Sequence, residues 1–463
     1  MKATLTPQDL AEHALAASTA DDCVVTIRDT TSANLRWANN TLTTNGIMRS
    51  RSVTVVATLD GGTGTASGVV ARSAVTAASL EPLVRAAEQA ARDNGPAEDA
   101  KPLVAGDADP DWDLAPGETS IAVFSAVAPA LGAAFARARD GKRVLYGYVE
   151  HDVTTTYLGS STGLRLRHEQ PTGHIGITGK SADLSRSAWV GQASRDLSDF
   201  DVAALDAELA RRLGWAANTV AAPAGRYDTV LPPTAVADLM TYTYWTMSAR
   251  LAHEGRTVFA NPGQGTRVGE KLSKRQVSLW SDPAAAGLEC APFVVAHASS
   301  AYGSVFDNGL PLARTEWVSD GALAALLQTR YSSELTDLSV TPAVDNLGMT
   351  VADGSGTTDD LVAGMDSGLL LTCLWYIREV DPQTLLLTGL TRDGVYLVER
   401  GEVVGAVNNF RFNESPVALL DRFTEAGETV PAFSREWGDY FARTAMPALR
   451  VPDFNMSSVS QAS

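Results

Sequence analysis

His253 and Glu254 are the adjacent pair in this sequence with the clearest capacity for chemistry. In zinc peptidases a His-Glu step on a helix supplies one metal ligand and the general base that activates a metal-bound water. A second imidazole must return to the same face four residues on, or five where the helix is distorted. Thr257 and Val258 occupy those positions. Three protein ligands are normally needed for a catalytic zinc, so one histidine is too few. Gly255 also weakens the helix at the point where the second ligand would be placed. Read from these residues alone, the pair caps a helix and has no metal role.

Other candidates reduce to turns. Gly159-Ser160-Ser161-Thr162-Gly163 matches G-x-S-x-G, but a nucleophile elbow needs a helix after the serine, and Leu164, Leu166 and His168 alternate as a strand. The run from His174 to Ser181 ends in Gly-Lys-Ser, yet the first glycine of a phosphate loop would fall at His174. Gly62 to Gly68 is one residue off G-x-G-x-x-G and precedes a strand, which offers no helix N-terminus to an anion. His168-Glu169 and His174 lack regular ligand spacing, because Pro171 and Gly173 intervene, and read as surface or hairpin histidines.

The elements around these residues follow from periodicity. Thr6-Pro7 starts a first helix, with Leu10, Ala14 and Leu15 on one side. Strands are expected at 24–28, 34–38, 53–59 and 68–71, then a helix from about Ser79 that stops at Asn94-Gly95-Pro96. Residues 95–118 are rich in Pro, Gly, Asp and Ala and read as a linker. A second unit follows, with a helix from near Ser120, strands at 143–149, 154–158, 163–169 and 174–180, and a closing helix over 201–213. One further helix, roughly 234–251, carries Val236, Leu239, Met240, Thr243 and Met247 up to the His-Glu pair. Some 200 residues of short alternating runs and Gly, Asp and Asn turns complete the chain. The fold class expected is α+β: an α/β domain over 1–95, a linker over 96–118, a central α/β domain over 119–222, and a β-rich domain over 223–463, as a twisted sheet or barrel-like form.

The 463 residues carry a net charge of −17 and show no basic stripe, which argues against a nucleic-acid partner. Three scattered cysteines, Cys23, Cys290 and Cys373, make neither a disulfide framework nor a zinc knuckle. No apolar run reaches the roughly 18 residues of a membrane span, and the N-terminus has no apolar leader core. A cytoplasmic protein is expected.

An ordered series of segments resembles the TldD/PmbA family, also called TldD/TldE. Leu251 to Pro283 is similar to its His-Glu helix, glycine-rich loop and Val-Gly-Glu-Lys step. Val305 to Pro311 resembles the family's Phe-Asp-x-Glu-Gly-x-Pro segment, with Asn308 where an acid is usual. Gly368 to Thr372, Val380 to Thr384, Thr388-Gly389 and Val395 to Glu402 resemble, in order, a strand, two turns and a hairpin of that family. The TldD kind carries His-Glu-x-x-x-His and a C-terminal cysteine that bind zinc; the TldE or PmbA kind lacks them and pairs with TldD in a heterodimeric metallopeptidase. Here Val258 stands in place of the second histidine, and Phe441 to Ser463 holds no cysteine.

The resemblance therefore implies a TldE-type subunit, inactive alone, with no cofactor of its own and zinc in its partner. Its partners would be a TldD-type chain and small or unfolded peptides, and a homodimer is open to it when alone. His253 and Glu254 would be a vestigial motif, and Phe306, Asp307, Asn308 and Gly309 candidates for the peptide groove. Two rival readings remain open. One is a self-sufficient metallopeptidase using His253, Glu254 and displaced ligands such as His297 or Asp307. The other is a regulatory binding protein with no peptidase role.

Overall fold

The computed structural model describes residues 5–460. Its N-terminal half is built twice on one plan. Helix α1 (Pro7–Ala17) precedes strands β1 (Asp22–Ala38), β2 (Thr41–Gly61) and β3 (Gly64–Ser73), and α2 (Ala77–Asn94) closes the unit. Helix α3 (Val127–Asp140) then precedes β4 (Arg143–Ser160), β5 (Arg165–Ser181) and β6 (Ser187–Ser194), with α4 (Val202–Trp215) at the end. The two units contribute three strands each to one antiparallel sheet of order β3-β2-β1-β4-β5-β6, joined where Thr26 pairs with Leu158.

The strands are longer than periodicity suggested. The runs 24–28 and 34–38 are one strand, as are 143–149 with 154–158 and 163–169 with 174–180. Side chains alternate between the two faces of a strand, so long strands can carry apolar residues on one side and polar ones on the other. Cys23, Val25 and Ile27 pack under α1 and α2, while Ala33, Leu35 and Trp37, on the same face, pack under α3 and α4. Among the described residues, the four helices of these two units pack on that one face and leave the opposite face to the C-terminal region. Pro171 sits inside β5 because β6 pairs only with residues 173–180, which leaves β5 an edge at that point, where a missing N–H is tolerated.

Two of the glycine-rich motifs are hairpin turns, but the run from His174 to Ser181 is no turn: it lies within β5, paired to β4 on one side and β6 on the other. Residues 161–164 connect β4 to β5, and Gly62 lies in the turn between β2 and β3. Residues 96–118 have little regular structure but are anchored to the sheet: Leu103 and Trp112 are buried, and the Ala97 N–H donates to Thr65 O at 2.8 Å.

The β-rich C-terminal region is two sheets. A six-stranded sheet runs in the order 322–323, 315–319, 277–281, 347–351, 444–446, 430–432. A ten-stranded sheet has Gly225–Leu231 near its centre, between Ser367–Leu371 and Leu449–Val459. Helix α5 (Pro233–Trp245) lies in the shared core, with Val236, Leu239, Met240 and Tyr244 buried against Leu347, Met349, Phe410 and Phe454. The helix expected over 234–251 is broken. Turn residues Thr246 and Met247 end α5, and Ser248 caps a separate short helix, α6 (Ala249–His253), by accepting the Leu251 N–H at 3.3 Å.

Candidate functional site: an interdomain cleft

The face of the N-terminal sheet opposite its four helices and the C-terminal region enclose a cleft of about 660 Å³. The sheet contributes Arg28 from β1, Asp152, Thr154 and Thr156 from β4, and His168, Gln170, Thr172 and His174 from β5. All are even-numbered, so the two-residue period of the strands delivers them to one side. That alternation was the signal available in the sequence, and the gap expected between strands at 163–169 and 174–180 obscured it. The facing wall is made by residues 291–304 and 438–443, including His297, Tyr302 and Arg443.

Three imidazoles meet this cleft, and each is held below its usual pKa. Burial does this for His168 and His174, and for His297 burial is reinforced by Arg28. The lowered pKa favours the neutral imidazole in each, which has one donor and one acceptor nitrogen. His168 Nε2 already pairs with Gln170 Oε1 at 3.0 Å. His174 stacks on Phe433, with ring centroids 5.4 Å apart, and meets Tyr148 edge-on. Beside the cleft, Tyr244, Trp245, Tyr302, Tyr440 and Phe441 line an apolar recess of about 510 Å³. Tyr302 also borders a third cavity of about 340 Å³, so the three adjoin one another along this residue. The arrangement suits binding of an extended, mixed polar and apolar chain.

The third cavity lies beside the His-Glu pair. Leu251, Arg256, Thr257 and Val258 line it together with Glu379, Pro382 and Gln383. Gln383 ties the two segments together, its Nε2 donating to Gly255 O at 2.8 Å. His253 is exposed at the end of α6. The Glu254 carboxylate accepts from Arg250 Nε at 3.0 Å and from Arg256 Nη1 at 3.3 Å, and these bonds lower its pKa. Gly255 leaves the helix with φ +75°, and Val258 is buried beyond it. A zinc ion would find one imidazole, an acid already paired with two guanidinium groups, and a buried isopropyl group. These residues do not fit zinc. Among the described residues, no cluster of three or more His, Cys, Asp or Glu is arranged to hold a metal ion. The three cysteines are buried and unpaired, and burial pushes each thiol up to about 12, so none is a ready thiolate.

The structure brings Phe306, Asp307, Asn308 and Gly309 together at the junction of the sheet and the C-terminal region, on a short 3₁₀ turn and its exit. Their side chains serve internal contacts. Phe306 packs with Val24, Val56 and Leu158 of the sheet. Asp307, 2% exposed, touches the cleft and accepts from Arg330 Nε at 2.7 Å and from the Arg330 N–H at 3.1 Å. Asn308 bonds both the N–H and the C=O of Ala296, at 2.6 and 3.0 Å. Gly309 has φ +86° and lies against Leu164. These residues hold the cleft wall in place. His297 lies in the cleft, remote in contact from the His-Glu pair, and the displaced ligand set imagined around it is not assembled.

Residues 224–458 match the family described as PmbA/TldA metallopeptidase C-terminal domain. The whole fold is similar to TldE from Thermococcus kodakarensis, with a TM-score of 0.77 and 17% identity over 97% of this chain and 99% of that one. It is also similar to a protein of Thermotoga maritima solved as a "putative modulator of a DNA gyrase", with a TM-score of 0.76 and 16% identity over 97% and 100% of the two chains. A Bacteroides thetaiotaomicron protein of like description gives 0.73 and 15% over 97% and 98%. No curated protein matches the chain. At these identities the solved structures share the fold, while the sequence match covers about half the chain by itself. No helix among the described residues is long and apolar enough to cross a membrane. The ordered motifs, the two-sheet C-terminal region and the matched residues together make this chain a member of the TldD/PmbA family.

Proposed function

We propose that this chain is a TldE/PmbA-like subunit without a zinc site of its own, pairing in the cytoplasm with a zinc-bearing TldD-type chain to process small or unfolded peptides. The observation that carries the reading is the state of the His-Glu pair. His253 stands without a second imidazole, Glu254 is bound by Arg250 and Arg256, and Val258 is buried where the second ligand belongs. An acid engaged by two cations is a poor general base, because protonating it breaks both ion pairs. The cleft supports the peptide part of the reading. Sheet strands, neutral imidazoles and an aromatic recess suit main-chain hydrogen bonding with loose side-chain preference.

The test is co-expression with a TldD-type chain, followed by zinc analysis and peptide turnover for each chain and for the pair. The expected result is zinc in the sister chain only, and turnover that needs both. Near-stoichiometric zinc and peptide cleavage by the isolated chain would overturn the reading. Full activity of the sister chain alone would overturn the subunit role.

A further inference from the structure

Arg435 is a cation with aromatic neighbours and, among the described residues, no ion pair. Its guanidinium carbon lies 3.8 Å from the centroid of the Trp375 ring and 5.0 Å from that of Trp189. Trp189 belongs to β6 of the N-terminal sheet and Trp375 to the C-terminal region, so the side chain bridges the two parts of the molecule. Nε is buried without a hydrogen-bond partner. The neighbouring acids are engaged elsewhere. The Asp238 carboxylate accepts the backbone N–H groups of Arg435 and Glu436, Glu436 accepts from Ile377 N at 3.2 Å, and Asp393 accepts from the Ser187 hydroxyl. Stacking uses the faces of a guanidinium and leaves its in-plane N–H donors unspent. Donors of that strength, partly buried and unpaired, are rare in folded proteins.

Arg435 also lines a pocket. Arg435, Tyr148, Thr178, Trp189, Phe433 and Asp439 are among the residues around a cavity of about 160 Å³. At roughly 30 Å³ per water in the liquid, that is space for about five waters, or for a carboxylate and a short stem. Glycines keep the cradle tight. A Cβ at Gly191 would lie 2.3 Å from the Trp189 ring, and one at Gly438 2.5 Å from Phe433.

We infer that this pocket is a carboxylate-binding site in which Arg435 presents a planar pair of N–H donors to the two oxygens. Asp439 selects the charge of the ligand. Its carboxylate, held by the Tyr148 hydroxyl at 2.6 Å, lies on the same pocket wall and opposes a dianion more than a monoanion. A phosphate is therefore disfavoured, and the parallel fork fits a carboxylate. The ligand is either a free small acid or the C-terminal carboxylate of a peptide lying in the large cleft, which adjoins the pocket at Gly438 and Asp439. The inference stands apart from the subunit reading, since it needs no sister chain and no hydrolysis.

Calorimetry on the full chain tests it, with acetate, inorganic phosphate, and tetra-alanine as free acid and as C-terminal amide. A free-acid peptide binding at least tenfold tighter than its amide supports a peptide terminus as the source. Acetate binding without a peptide preference supports a small acid. Either preference should be lost in Arg435→Lys, whose ammonium cannot form the fork, and strengthened several-fold in Asp439→Asn, which keeps the stacked arginine. The inference is overturned if acid and amide bind alike and acetate gives no heat, if phosphate binds better than acetate, or if Arg435→Lys leaves the preference intact.

Discussion

Single residues decide how the cleft wall is held. Asp307 is buried and its carboxylate pairs with Arg330, 23% exposed, at 2.7 Å. Removing one member of a buried pair strands the other charge, at a cost of about 3–5 kcal/mol. Asp307→Ala is therefore expected to lower the stability measured by urea denaturation by that order, and an unchanged midpoint would mean that Arg330 is held by other contacts. Asp238 gives a second prediction. Burial pushes its carboxyl from the ordinary 3.8 up to about 8, against the lowering effect of the two backbone N–H groups it accepts. Between those values the folded chain keeps a proton that the unfolded chain has released. This contribution to stability is full at low pH, falls as pH rises through the window and levels off above about 8. The slope from one such proton is at most about 1.4 kcal/mol per pH unit. Urea denaturation from pH 5 to 9 should show Asp238→Asn with a flatter pH profile than the parent, and parallel profiles would refute the assignment. Neither residue's burial was legible in the sequence. Asp307 stood out only through a motif resemblance, and Asp238 is the one charged position on a helix whose other residues are apolar, aromatic or threonine.

At the scale of elements, the N-terminal helices and hairpin turns were legible. The strand lengths, the break in the helix expected over 234–251 and the short helices at Arg330–Thr336, Thr358–Ala363 and Pro416–Arg422 were not. α1, α2 and α4 announce themselves by caps and apolar stripes, and local signals of that kind survive folding. β1, β4 and β5 each appeared as two short strands because their central residues, such as Thr30 and Thr154, are polar. Those centres face the cleft, where polarity costs nothing, and the ladder continues beneath them. The glycine-rich run ending at Gly68 likewise serves packing. A Cβ at Gly68 would lie 2.1 Å from Ala87 O and 2.2 Å from Ala91 N, so helix α2 rests directly on β3. Gly68→Ala must lift the helix, and overpacking of this kind costs roughly 1–3 kcal/mol or more. A clear drop in the urea midpoint is expected, and tolerance of the alanine would show that α2 can slide without penalty.

For the whole molecule, the decisive contact is between the sheet face opposite α1–α4 and residues 293–309. Gly309 sits in that contact with φ +86°, and a Cβ there would lie 2.5 Å from Leu164 Cδ1. Gly309→Ala combines backbone strain with a clash across the junction and should destabilise the chain by about 1–3 kcal/mol. It should also raise protease sensitivity in residues 96–118, which run along the same junction; an unchanged digestion pattern would count against a tightly coupled molecule. The sequence by itself determined the α+β class, the family, and the shortage of imidazoles after His253, because these depend on residue identity and local spacing. Only the tertiary structure decided that the two N-terminal units share one sheet and that His168, His174 and His297 meet in a cleft. It alone also showed that Glu254 is bound by arginines and that Arg435 lies between two tryptophans. Such facts arise from contacts between residues far apart in the chain, and no local pattern encodes which distant side chains will meet.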